Sequence, residues 1–247
     1  MLRWGRQCRS RSWPKKRQTP NFPPYNQNPH RLGSCILITM TSTSTLLLTL
    51  LFLLSARLNA QDRMPPIPAE KQTEAEKKAV ADYKDIRKVD LTGPPWSVLL
   101  RVPDLVVPSL QLRLHNLNNS ALSQKLTEFA ILIAARHWTN NFEWNAHNPL
   151  AATAGLSPAI IATIADGRRP TIMAEDEDIL YDFCTELLHN QSVSDPMYAR
   201  AVAKFGEPGV VEAASLEGYY TFLSMVMNTA RSPMPAGVKP ALAPFPK

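Results

Sequence analysis

Three side chains in the middle of this 247-residue chain have the types and spacing for proton chemistry: Glu128, Glu143 and His147. Glu143 and His147 are four residues apart, which on an α-helix stacks them on one face, one turn apart. Glu128 is followed by the unbroken apolar run Phe-Ala-Ile-Leu-Ile-Ala-Ala (129–135), and a helix of that composition is buried on most sides. A carboxylate there is costly unless it is paired or faces a polar cavity. That excludes a surface role for Glu128, and the economical arrangement is a small pocket lined by all three. Imidazole titrates near neutral pH, so His147 suits giving or taking a proton at working pH. Glu143 would either orient and polarise His147 or, with burial raising its pKa, be the proton donor itself. The plainer alternative is a helix-surface Glu–His pair, contributing roughly 0.2–0.5 kcal/mol.

Four more residues belong to this candidate site. Arg136 stands either to hold a substrate carboxylate bidentately or to pair structurally with Glu128 or another acid. Trp138 and Trp144 serve as core or as pocket wall, and Asn140 opens the segment that carries Glu143 and His147. His137 and His189 read as surface residues and His115 is undecided. Cys184 falls on an apolar helical stripe and reads as a small buried hydrophobe rather than a nucleophile. Two carboxylates and an imidazole are a legitimate ligand set, but Glu143-x-x-x-His147 matches neither the His-Glu-x-x-His nor the Glu-x-x-His signature. No metal is expected. There is no phosphate loop, dinucleotide fingerprint or Gly-x-Ser-x-Gly elbow, so no cofactor and no serine hydrolysis is expected either.

The same residues resemble the carboxymuconolactone decarboxylase and alkylhydroperoxidase D-like family. Its peroxidase branch carries a Glu, then Cys-x-x-Cys-x-x-x-His on the following helix. The matching positions here are Asn140, Glu143 and His147, so both cysteines are replaced while the Glu and the His keep their spacing. Ala-Ala-Arg-His-Trp (134–138), Phe-Glu-Trp (142–144) and, after His147, Ala151, Ala152 and Ala-Gly-Leu (154–156) resemble the decarboxylase-like branch. The resemblance spans about residues 94–233. It implies an all-α helical bundle and a cofactor-independent lyase acting on a small cyclic carboxylic acid or lactone by Glu/His proton transfer. It also implies self-association as a homotrimer or homohexamer. The alternatives are a peroxiredoxin-like activity, which lacks its attacking and resolving thiols here, and a non-enzymatic small-molecule-binding module with the same pocket.

The elements that must position these residues are legible in the chain order. Residues 1–39 are basic and Pro/Asn-rich without a hydrophobic period, and read as an over-extended start or a basic targeting extension. Residues 40–60, MTSTSTLLLTLLFLLSARLNA, have a polar start, an apolar core at 46–54 and small residues before a cut after Ala60. That is a secretory signal whose core is too short to span a membrane, so a secreted or periplasmic location is expected and no span in the mature chain. Nine of the 27 Lys and Arg lie at or before residue 60 and none of the 21 acids does. Residues 61–247 are therefore mildly acidic and offer no basic face, which argues against nucleic acid. Only Cys184 remains beyond the signal, so no disulfide and no Cys-x-x-Cys is available.

Residues 61–93 read as a Pro-rich linker and a solvated helix at 70–88, and Thr92-Gly93-Pro94-Pro95 breaks the chain. Short helical patterns come next at 96–100 and 105–117, interrupted by Pro103 and Pro108. Ser123 can cap the buried helix, Asn140 or Asn141 the next, and Gly155 ends it. Ser157-Pro158 opens a short helix. Glu175, Asp176, Glu177 and Asp178 crowd the first turn of another, where negative charge suits the helix dipole. Ser194-Asp195-Pro196 starts a helix that Gly206 ends, and Glu207-Pro208 opens the last one. That last helix is apolar nearly all round at Leu216, Tyr219, Tyr220, Phe222, Leu223, Met225, Val226 and Met227. It must therefore be enclosed by the core or by another subunit. The tail, 234–247 and its approach, is too rich in proline for regular structure and is free to clasp a neighbour. No strand pattern appears. The expectation is one all-α domain over 94–233 with roughly seven to nine helices.

Overall fold

The computed structural model describes residues 62–244, which are helices and connecting loops with no strand among them. The basic start at 1–39 and the signal at 40–60 lie outside the described residues. Eight α-helices succeed one another: α1 (Glu74–Arg87), α2 (Trp96–Leu99), α3 (Val106–Asn118), α4 (Gln124–His137), α5 (Asn141–Thr153), α6 (Pro158–Ala165), α7 (Glu175–Asn190) and α8 (Asp195–Ala230). The expected all-α bundle is what forms. Among the described residues no helix is long and apolar enough to cross a membrane.

The apolar run after Glu128 makes α4 the axis of the bundle. Residues 126–136 are all buried, and α4 packs against α5, α7 and α8. Each large aliphatic side chain it removes from water stabilises the fold by roughly 1.5–3 kcal/mol. Ser123 caps α4 by accepting from the Leu126 amide at 3.4 Å. Lys125 ties its first turn to α7 through Glu177 at 2.8 Å and Asp176 at 3.6 Å. A two-residue turn, Trp138-Thr139, then sends the chain back as α5. Thr139 takes a left-handed φ of 47° there, a conformation that costs a β-branched residue about 1–2 kcal/mol, and the amide of Asn140 closes the turn on the Ala135 carbonyl at 2.8 Å.

Three local expectations need correction. Pro108 does not interrupt its helix: it sits in the first turn of α3, where a missing N–H leaves no hydrogen bond unmade, and Pro103 opens a 3-10 turn just before it. The helix at 70–88 is shorter and not merely solvated. It begins with a Thr73–Glu76 capping box and buries Ala79 and Tyr83, whose ring lies 5.1 Å from that of Trp96. The tail has no regular structure, as expected, but it is not free: it folds back on its own chain. Leu242 is buried, its amide donates to Asn141 Oδ1 at 2.8 Å, and the next carbonyl, of Ala243, accepts from Arg136 Nη1 at 2.7 Å.

The break expected at Gly206 is present: its φ of 69° and ψ of 169° are non-helical, so α8 is two helical segments that meet at a kink there. Beyond it, Leu216, Tyr219, Tyr220, Leu223 and Met227 face the core. On the opposite side Phe222, Met225 and Val226 line an open apolar groove together with Val98, Val102 and Leu105. The last helix is thus enclosed by the bundle on one side only.

Candidate active site

Glu128 from α4 and Glu143 and His147 from α5 meet in the interior, each at 4 % exposure or less. The short α4–α5 turn brings the second helix back along the first, and the four-residue spacing on α5 does the rest. His147 Nδ1 lies 2.7 Å from Glu128 Oε2; its Nε2 lies 3.5 Å from Glu143 Oε2. An ionised carboxylate only accepts, so with Glu128 ionised the Nδ1 proton points at Glu128 and Nε2 is the nitrogen free to work. The residue 19 positions away therefore holds the imidazole, and the one a single turn away faces its reactive nitrogen. Of the two roles the spacing left open for Glu143, orienting His147 or holding the proton itself, the first falls to Glu128.

The surroundings tune Glu143. Burial pushes its carboxyl above the ordinary carboxylate range, the charges of His147 and Arg113 pull it down, and Glu128 pushes it up again. Asn140 is the N-cap of α5: its Oδ1 accepts from the Glu143 amide at 3.0 Å, and its Nδ2 reaches Asn228 at 3.4 Å. It positions the helix that carries two site residues. The Tyr220 ring stands edge-on to the His147 imidazole, with centroids 5.1 Å apart, and Tyr219 is edge-on to Tyr220 at 5.3 Å. Burial pushes both phenols up, with Arg113 opposing it in each case.

The remaining candidates do not converge on this site. Arg136 is buried and turned to the tail through Ala243, and it lines a cavity of about 100 Å³ with His137, His189 and Arg168 that excludes the three site residues. Trp138 donates from Nε1 to Thr221 Oγ1 at 3.0 Å, tying the turn to α8. Trp144 is core at 1 % exposure. His137 is half-buried and edge-on to His189 at 5.1 Å, so only His189 is a plain surface residue. His115 lies 3.4 Å from Glu212.

Sequence reasoning missed three residues. Arg113 and Tyr220 reach the site only through the packing of α3 and α8, which no local pattern reveals. Glu217 is different: it is another acid in an apolar helix, fully buried, lying against the Cys184 thiol. Its setting carries the same signal that marked Glu128, a carboxylate among apolar neighbours.

The fold and the site together define an all-α bundle with a buried carboxylate–imidazole–carboxylate centre. Compared with known proteins, the chain matches no family model, and no curated protein matches it. Its chemistry must be argued from the centre itself.

Proposed function

We propose that this protein is a cofactor-independent lyase of the carboxymuconolactone decarboxylase-like type that its motif resembles, acting on a small cyclic carboxylic acid or lactone. The observation that carries this reading is the centre's division of roles: Glu128 fixes His147 from Nδ1, and Nε2 faces a second carboxyl, Glu143, whose pKa burial pushes up. Decarboxylation breaks a C–C bond, releases carbon dioxide and leaves the electron pair on carbon, conjugated into the neighbouring carbonyl. The enzyme must stabilise that charge and return a proton to that carbon. The proton comes from Glu143 or from His147 Nε2, and Glu128 keeps the imidazole oriented while it changes charge. All three groups are sealed from solvent, so substrate is admitted by a local opening of the bundle.

The test is turnover of γ-carboxymuconolactone and related lactone acids. His147→Ala and Glu143→Gln should each lower kcat by about 10²-fold or more, the usual range for a positioned proton donor. Turnover that survives His147→Ala unchanged sinks the assignment of roles.

We propose in addition that copies of this chain associate and that the chain is exported. The apolar side of α8 left partly uncovered at Phe222, Met225 and Val226 supports association of copies into a closed trimer or hexamer. A clean monomer in light scattering at tens of micromolar contradicts it. The signal-like stretch at 40–60 supports export, which would separate the enzyme from cytosolic aromatic catabolism and leave the particular lactone acid open to selection. N-terminal sequencing of the exported protein should then begin at Gln61.

A further inference from the structure

We propose that Arg113, with the hydroxyls of Tyr219 and Tyr220, forms a carboxylate-binding subsite beside the Glu143 end of the buried centre. This rests on the lyase reading only in taking the bound carboxylate to be the substrate's.

The register between α3 and α8 places these groups together. Just beyond the end of α3, Ser120 Oγ donates to Glu212 at 2.7 Å; one turn back, Ser215 Oγ donates to Asn116 Oδ1 at 3.0 Å. Contacts that step backward along α3 step forward along α8, so the helices run antiparallel. The next step is Arg113 against residues 218–219. Arg113 shares a face of α3 with Leu110 and Asn116, three residues to either side and both fully or almost fully buried. From Tyr219 the ring contacts lead to Tyr220 and from there to His147. The influence of Arg113 at Glu143, Tyr219 and Tyr220 agrees with this placement.

Two deficits meet here. The first is charge. Arg113 is half-buried, and no described carboxylate lies within ion-pair distance of it, so its guanidinium has no direct ionic partner at this end. The second is hydrogen bonding. The Tyr219 and Tyr220 hydroxyls are buried with no partner, and such groups are ordinarily satisfied in a native protein. A single planar anion with two acceptor oxygens answers both: it takes the guanidinium fork and two O–H donors. A neutral ligand would leave the charge unmet. A dianion such as phosphate would exceed it and bring surplus negative charge close to Glu143 and Glu128. This subsite, not Arg136, then anchors the substrate carboxylate.

The test uses acetate, benzoate and cyclohexanecarboxylate as probes, each against its amide, with the protein labelled at tyrosine ¹³Cζ. Tyr219→Phe and Tyr220→Phe assign the two resonances. At least one acid should shift both signals of the wild-type protein while its amide shifts neither. Arg113→Gln should weaken binding about tenfold or more, Arg113→Lys less, because it keeps the charge and loses the fork. Each Tyr→Phe change should weaken it severalfold. Arg113 is half-exposed, so its variants should keep the wild-type circular dichroism and Tm. The proposal is overturned if an acid binds wild type and Arg113→Gln equally, if acid and amide bind alike, or if none of the three acids binds at millimolar concentration. The outcome is separable from that of the lyase reading. Arg113-dependent binding without turnover removes the lyase and keeps the subsite; turnover with a KM unchanged in Arg113→Gln does the opposite.

Discussion

Glu128 on α4 and Glu217 on α8 are buried to nearly the same depth, at 3 % and 1 % exposure, in helices that pack on each other. Glu128 has a counter-group, the His147 imidazole at 2.7 Å. Glu217 has no charged counter-group: its neighbour is the Cys184 thiol, and neither carboxylate oxygen meets good hydrogen-bond geometry. Burial pushes the Glu217 carboxyl up to about 8, with Cys184 pulling slightly the other way. One acid is kept usable by pairing, the other is made tolerable by keeping its proton. A bundle that holds both shows that a buried glutamate is not by itself a catalytic one; its partner decides.

The largest effect that sharpens this contrast is pH dependence. The folded chain holds the Glu217 proton up to about 8, while the unfolded chain releases it near the ordinary carboxyl value of 4.5. Between those limits the unfolded state binds fewer protons, so stability falls as pH rises through the window. It is fully present below 4.5 and lost by about 8, a loss of up to roughly 5 kcal/mol. Glu217→Gln removes this slope. Urea unfolding at pH 5, 6.5 and 8 should show wild type losing ground steadily to the variant, and parallel curves for the two would show that Glu217 does not titrate this way.

Somewhat smaller, and opposite in sign for the two acids, is the effect of apolar replacement at pH 7. His147→Leu strands Glu128 and Glu143 without their imidazole, and breaking a buried pair from one side costs about 3–5 kcal/mol. Glu217→Leu removes an unsatisfied group from an apolar setting and should be neutral or stabilising. Tm values that move the same way in both variants would erase the distinction between paired and unpaired acid.

How much of the fold is legible in the sequence depends on the range of the physics involved. Ser123, Asn140, Gly155 and Ser157-Pro158 mark helix ends because capping is settled within four residues. The meeting of Glu128, Glu143 and His147 was legible because one helical turn and one short hairpin suffice to produce it. The direction of Arg136 was not, since it depends on a tail carbonyl 107 positions away. Arg113 and Tyr220 depend on the register of α3 against α8, a long-range quantity that leaves no periodic mark. Glu217 was legible in principle but masked by Ser215 and Gly218, which make its surroundings look less apolar than the fold makes them. Asn140 puts the local rule to a test. Asn140→Ala removes the cap at the Glu143 amide and should cost about 1 kcal/mol, with Asn140→Asp recovering most of it. No loss in thermal unfolding would mean that the hairpin, not the cap, sets the start of α5.

The smallest expected effect is none at all, and it concerns the thiol beside Glu217. In the peroxidase branch that the motif resembles, two cysteines stand where this chain has Asn140 and Glu143. Cys184 does not replace them: it is on α7, fully buried, and burial followed by the Glu217 charge pushes its thiol well above the ordinary range. Attack on peroxide requires an accessible thiolate, and both conditions fail together. In a Cys8→Ser/Cys35→Ser background the native protein should not react with a chromogenic disulfide at pH 7.5 and should react fully in denaturant. Dithiothreitol-driven consumption of hydrogen peroxide should not exceed the blank. Fast native labelling, or peroxide consumption that disappears in Cys184→Ser, would move the chemistry of this protein from the imidazole centre to the thiol, and would give the unpaired glutamate the catalytic partner it otherwise lacks.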